Sequence, residues 1–179
     1  MNLNLVYSSV DQAAVTGDLE KLKKLQSLYR RFTEKTTAAA ALHGQLECLQ
    51  FLYESKCPWD KQTLHNSIIG DHFACFSFAL SNGCVPSKIS FTLCAEYGRL
   101  SMLILLYEHY PNLEDKNALH VAVRHGHLNC VTYLHESRKF AIPSDIICEA
   151  EGKGQTDCLQ YLLAHEPAIC KEDFGSVAI

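Results

Sequence analysis

Along residues 39–52, AAALHGQLECLQFL, a run of small residues ends at a glycine, and apolar side chains then recur at three-residue spacing. Leu46, Leu49 and Leu52 lie two, five and eight positions after Gly44. The same pattern is written around Gly17, Gly98, Gly126 and Gly154, and around Asp71 in SIIGDHFACF. Successive anchors are separated by 27, 27, 27, 28 and 28 residues. Self-similarity at a fixed period of this size marks a solenoid of stacked repeats, here with six copies.

The columns support the register. Four residues before the anchor stand Ala13, Ala40, Ser67, Cys94, Ala122 and Ala150, all small. Two after it stand Leu19, Leu46, Phe73, Leu100, Leu128 and Thr156; five after it, Leu22, Leu49, Phe76, Leu103, Val131 and Leu159; eight after it, Leu25, Leu52, Ala79, Leu106, Leu134 and Leu162. The alanine-rich half predicts a short helix. The anchor predicts a helix C-terminus that needs positive φ, which glycine adopts freely and aspartate tolerates. The apolar spacing after it predicts a second helix with a wide buried stripe, and these columns are expected to be core. A single helix pair cannot bury such a stripe, whereas a stack can.

The punctuation agrees. Pro58, Pro86, Pro111, Pro143 and Pro167 fall mostly between one unit's second helix and the next unit's first, outside helix interiors that they would break. Ser8, three residues before Asp11, and Ser144, directly after Pro143, are the expected helix N-caps. The unit cores run over about 8–28, 36–55, 63–82, 90–109, 117–137 and 145–166 within one domain spanning 1–179, and 167–179, which opens with PAICKEDF, is a tail or the start of a seventh unit.

NALHVAVRHGHLNCVTYL, residues 117–134, closely resembles the ankyrin repeat: Leu119, His120, Ala122, Gly126, His127, Leu128, Val131 and Leu134 match its pattern, while Asn117 and Ala118 replace its Thr-Pro pair. The second unit, HGQLECLQFLYESKCPWD, is similar to the divergent ankyrin style of large DNA viruses, protists and algae. The resemblance covers roughly residues 8–166 and implies an all-α solenoid of about six stacked helix-turn-helix units. The usual unit has about 33 residues, so short loops are expected where extended β-hairpin fingers would stand. The resemblance also implies that His65 and His120 bond to neighbouring backbone and tie units together.

Composition narrows the function. Apolar residues make up 47 % and charged residues 20 %, ordinary for a soluble globular protein. No apolar run approaches the ~18–20 residues of a membrane span, and MNLNLVYSSV lacks the basic and long apolar regions of a secretory signal. Nine cysteines, an odd number spread evenly, suit a reducing cytoplasm or nucleus. A formal charge of −4 supplies no general attraction to nucleic acid or acidic lipid. The charge is uneven: residues 11–37 carry a net +2 and residues 144–179 a net −5.

Cys48, Cys75, Cys130 and Cys158 all lie four after their anchors. Equivalent positions in stacked helices, with axes ~8–10 Å apart, cannot easily share one tetrahedral metal or a disulfide, so the expected role is that of small buried hydrophobes. His125 and His127 are read as a surface residue and a turn residue rather than a metal pair. The DFG of Asp173–Gly175 stands without any other kinase element. No catalytic, cofactor or metal site is expected.

The resemblance implies that the two residues before each anchor, with the inter-unit loops, face a concave binding surface. The candidate partner-binding residues are therefore Leu42, His43, Ile69, Glu96, Tyr97, Arg124, His125 and Lys153, joined by Trp59, the one tryptophan, which is either an exposed anchor or a loop-packing residue. The resulting expectation is a monomeric, non-catalytic scaffold or adaptor, without cofactor, that binds a partner protein and neither nucleic acid nor membrane. In its narrower form a viral or pathogen protein captures a host factor. The competing readings are a cysteine-based metalloprotein or redox protein, and the binding module of a larger protein.

Overall fold

The structure, a computed structural model, describes residues 9–28, 31–113 and 115–165. They form twelve helices and no strand: α1 (Ser9–Thr16), α2 (Leu19–Ser27), α3 (Glu34–Leu42), α4 (Leu46–Glu54), α5 (Lys61–Ile69), α6 (Phe73–Ser81), α7 (Lys88–Glu96), α8 (Leu100–His109), α9 (Asn117–Arg124), α10 (Leu128–Thr132), α11 (Ser144–Gly152) and α12 (Thr156–His165). α10 continues into a π-helical segment, Tyr133–Ser137. Consecutive helices pair, first helices lie beside first helices and second beside second, so each unit contacts its neighbours. The inter-unit connections, such as 55–60 and 82–87, are short loops as expected.

All six anchors adopt φ between 63° and 75°, Asp71 included. In each, the backbone N–H one past the anchor donates to the carbonyl four before it: Asp18 to Ala13, Gln45 to Ala40, His72 to Ser67, Arg99 to Cys94, His127 to Ala122 and Gln155 to Ala150, at 2.8–3.0 Å. This is the Schellman stop of a helix. The residues carrying the accepting carbonyls are fully buried in all six units, because the reversal presses this turn against the next element.

The columns five and eight after the anchor form the core: Leu22, Leu49, Phe76, Leu103, Val131, Leu52, Ala79, Leu106, Leu134 and Leu162 have no exposure, while Leu25 and Leu159 are half-buried. The column two after the anchor is not core. Leu19, Leu46, Leu100 and Leu128 are only half-buried and Phe73 is 46 % exposed. That position opens the second helix at the rim, where the neighbouring unit no longer covers it.

The 28-residue spacings have different local causes. In the fourth unit α8 and the loop after it are longer. In the fifth the extra residue is absorbed by the π-helical turn, as an insertion within a helix commonly is. The closing bond after the second helix runs from Cys57 to Leu52 and from Cys84 to Ala79, but from Phe140 to Leu134, so the insertion falls after Leu134. Ser144 is the first residue of α11 rather than its cap; Pro143, with φ −77° and ψ 149°, holds the cap position without a side-chain bond. Ser8, Pro167 and the tail beyond His165 lie outside the described residues.

Candidate functional site

Two polar seams tie the first helices together. Six residues before the anchor, a side chain meets the first turn of the next unit's first helix or the residues just before it. Thr36 Oγ1 donates to Asp11 Oδ1 at 2.7 Å, His65 Nε2 meets Ser90 Oγ at 3.2 Å and Ser87 Oγ at 3.3 Å, the Thr92 hydroxyl donates to Asp115, and His120 Nε2 lies 3.5 Å from Asp145 Oδ2. The two histidines thus tie units as expected, but to side chains and not to backbone. Burial holds the His65 ring below the usual histidine range, with Lys61 acting in the same direction. With Nδ1 3.2 Å from Gln62 Oε1, the neutral ring donates there and accepts from serine at Nε2.

The second seam runs backward from the residue after four of the anchors. Gln45 Nε2 donates to the Val15 carbonyl at 3.3 Å, Arg99 Nε to Ile68 at 3.3 Å, His127 Nε2 to Glu96 at 2.9 Å and Gln155 Nε2 to Arg124 at 3.1 Å. These side chains cross the preceding anchor so closely that a Cβ on Gly98 would lie 2.6 Å from His127 Nδ1. Asp71 is accommodated because an arginine follows it in the stack: Arg99 Nη1 pairs with Asp71 Oδ2 at 3.0 Å.

The ends of the first helices then stand in a line along the stack. His43, Ile69, Tyr97, Arg124, His125 and Lys153 are exposed, and Leu42 and Glu96 are half-buried. Arg124 is engaged, with Nε 2.6 Å from Glu149 Oε1 on α11. Trp59 does not join this line. It is half-buried, stacked on Tyr53 with centroids 4.8 Å apart and edge-on to Phe78 at 6.2 Å. Those partners sit on α4 and α6, so packing of the second-helix layer is the role its geometry gives.

Ile89, 56 % exposed on α7, was not among the sequence candidates. It stands seven residues before Glu96, two helical turns along the same face, and that spacing is the signal that finds it. Val85, 66 % exposed, lies in the loop just before α7.

Seven of the eight cysteines in the described residues are buried. Cys48, Cys75, Cys130 and Cys158 are buried as expected. Burial pushes Cys57 up to about 12 and Cys75, Cys84 and Cys130 up to about 11, and raises Cys48, Cys94 and Cys158. A thiol nucleophile must be a thiolate, and these environments disfavour it. Among the described residues no three His, Cys, Asp or Glu side chains gather as metal ligands would, and no helix is long and apolar enough to cross a membrane.

A family model described as ankyrin repeats in three copies matches residues 37–142, more than half of the chain. No curated protein matches. The crystal structure of the human ASB11 ankyrin repeat domain is similar in fold, with a TM-score of 0.74 and 16 % identity, over 92 % of this chain and 86 % of that one. With the repeated left-handed anchors and paired helices, the family model over more than half of the sequence shows that the chain belongs to the ankyrin-repeat family.

Proposed function

We propose that the chain is a non-catalytic scaffold that binds a partner protein through the exposed face of its first helices. Ankyrin repeats are in general protein-interaction modules, and repeat stacks offer extended surfaces for that purpose. One observation carries the reading: Ile69 on α5, Ile89 on α7 and Tyr97 at the C-cap of α7, at 37 %, 56 % and 36 % exposure, stand on neighbouring first helices where folding makes little use of them. Exposed aromatic and aliphatic side chains on a fixed frame are the usual anchors of an interface. Leu42, His43, Glu96, Arg124, His125 and Lys153 extend the surface along the stack. The short repeat style supports the narrower form in which a virus or other pathogen captures a host factor.

Affinity capture from cell lysate tests this, with wild type beside an Ile69→Glu, Ile89→Glu, Tyr97→Glu variant of unchanged helicity. Proteins held by wild type and lost by the variant are expected. Retention of the same set by both proteins would place the binding surface elsewhere.

A further inference from the structure

A cavity of 450 Å³ opens at the fifth unit, between the N-terminal end of α9 and the loop 138–143 that leads to α11. Its origin is local. In the second and third units the residue that ends the post-helix turn is a cysteine whose thiol donates to the cap carbonyl of the same unit's first helix. Cys57 Sγ reaches the Thr33 carbonyl at 3.4 Å and Cys84 Sγ the Asp60 carbonyl at 3.0 Å. That latch draws the loop onto the helix. In the fifth unit the inserted π-turn brings Phe140 to the equivalent place, and a phenyl ring has no such hydrogen to give. The loop and the helix end stand apart, and the cavity lies between them.

The lining has one sign of charge. Leu119, Phe140 and Pro143 supply apolar wall; Lys116, Arg138 and Lys139 surround it with His120, and no acid lines it among the described residues. This occurs in a chain whose formal charge is −4. Two nearby carboxylates are already engaged: Asp145 faces His120 at 3.5 Å, and Asp115 accepts the Thr92 hydroxyl and the Asn117 N–H. Arg138 is held by the Pro111 carbonyl at 3.0 Å and lies 4.4 Å from the Tyr107 ring centroid, which fixes its charge at the wall. Lys116 and Lys139 are exposed and make no ion pair among the described residues. Lys116 stands at a helix N-terminus, where the backbone dipole favours an anion and opposes a cation.

We infer that this cavity is a second docking site, for an internal acidic segment of a partner protein that carries a large apolar side chain beside its carboxylate. The inference rests on the reading of the chain as a protein-binding module and adds the chemistry of the partner. The volume falls within the ~300–1,000 Å³ of small-ligand sites, enough for one large side chain and the carboxylate next to it. Lys116, just before α9, and Lys139, in the loop, both line the cavity, which suits a side-chain carboxylate reaching in from a chain that passes over the opening. The apolar wall and the overall negative charge work against a polyphosphate.

The test is selection of displayed random decapeptides, flanked on both sides so that no terminus is free, on the immobilised full chain. Selected sequences are remade with blocked ends and titrated by fluorescence polarisation. Expected are peptides that pair Asp or Glu with Phe, Leu or Met. They should bind a Lys116→Glu, Lys139→Glu variant at least tenfold more weakly than wild type, and an Ile69→Glu, Tyr97→Glu variant within twofold of wild type. An Ala141→Trp variant, which fills the cavity and keeps both lysines, should also lose at least tenfold. The proposal is overturned if no binder emerges, if the binders lack acids, or if the lysine variant binds as wild type does. It is equally overturned if a peptide with serine in place of its apolar residues, or an oligonucleotide of the same charge, binds as well. Loss in the Ile69, Tyr97 variant alone removes this cavity and leaves the first-helix surface standing. A lysate partner lost only with the lysine variant does the reverse.

Discussion

The hydroxyl of Thr63 is buried without a hydrogen-bond partner among the described residues. Thr63 stands eight before its anchor, the slot in which Thr36 donates to Asp11 and Ser90 meets His65. The facing position, six before the preceding anchor, is Ala38, which offers no polar group. Replacement of Thr63 by valine exchanges the orphaned hydroxyl for a methyl group of similar shape. An unsatisfied buried polar group costs about 1–3 kcal/mol, and a buried methyl contributes about 0.8 kcal/mol. Threonine and valine have similar helix propensity, so the backbone term nearly cancels. We expect Thr63→Val to stabilise the protein by about 1–2 kcal/mol, reduced from the simple sum by imperfect packing. At ~2–4 °C per kcal/mol for a chain of this size, the melting temperature rises by ~2–8 °C. Thr36→Val is the control: its hydroxyl donates at 2.7 Å and accepts from the Thr33 N–H, so the same exchange should destabilise by about 1–3 kcal/mol. Urea unfolding at unchanged m-value, followed by circular dichroism, reads both. Equal loss of stability in the two variants would refute the argument, because Thr63 would then have a partner that matters.

Further expectations follow from the same seams. Gly98→Ala should destabilise clearly more than Gly154→Ala. Both force alanine to φ 68° at about 1–2 kcal/mol, but only at Gly98 does the new Cβ meet a neighbour, the His127 ring, while Gly154 faces open space; equal melting shifts would show that the close approach carries no cost. His65 is held below the ordinary histidine range by burial, and His135 likewise. The unfolded chain therefore takes up protons first as pH falls. The stability they contribute is full above the unfolded value of about 6.5 and is lost as pH falls through the lower folded values. The melting temperature of wild type should decline across that window, and a His65→Gln variant should decline less; a parallel slope would disprove the assignment. Of the eight cysteines in the described residues only Cys148 is exposed, so Cys148→Ser should remove the fast phase of native thiol labelling that these eight contribute, while the buried thiols react only as the chain opens. Rapid labelling at Cys94 or Cys130 would contradict their burial.

Much of the fold was legible in the chain because it rests on local chemistry repeated at a fixed distance. Asp71 could be recognised as an anchor from the spacing alone, although glycine is missing, since the columns on either side keep their register and only the φ > 0 requirement is at stake. The burial of Cys48, Cys75, Cys130 and Cys158 followed from the helix period. The column containing Phe73 was misjudged for a physical reason: apolar periodicity says which face of a helix turns inward, not where along the helix the neighbour stops covering it. The exposure of Ile69 and Tyr97 was readable through the resemblance. Arg124 reads as a free contact residue in the chain, and its engagement by Glu149 is invisible there because the two belong to different units.

The periodic spacing of small, anchor and apolar residues by itself determined the six helix pairs, their left-handed stops and most of the buried columns. Each of these depends on backbone preference within a few residues and on burial repeated from unit to unit. Only the tertiary structure decided that Arg99 covers Asp71, that Thr63 faces an alanine, that Trp59 seals the second-helix layer and that a π-turn leaves a basic cavity at the fifth unit. Those facts depend on the lateral offset between stacked units. That offset is set by side-chain volumes and hydrogen bonds between residues about one repeat apart, and no local pattern encodes it.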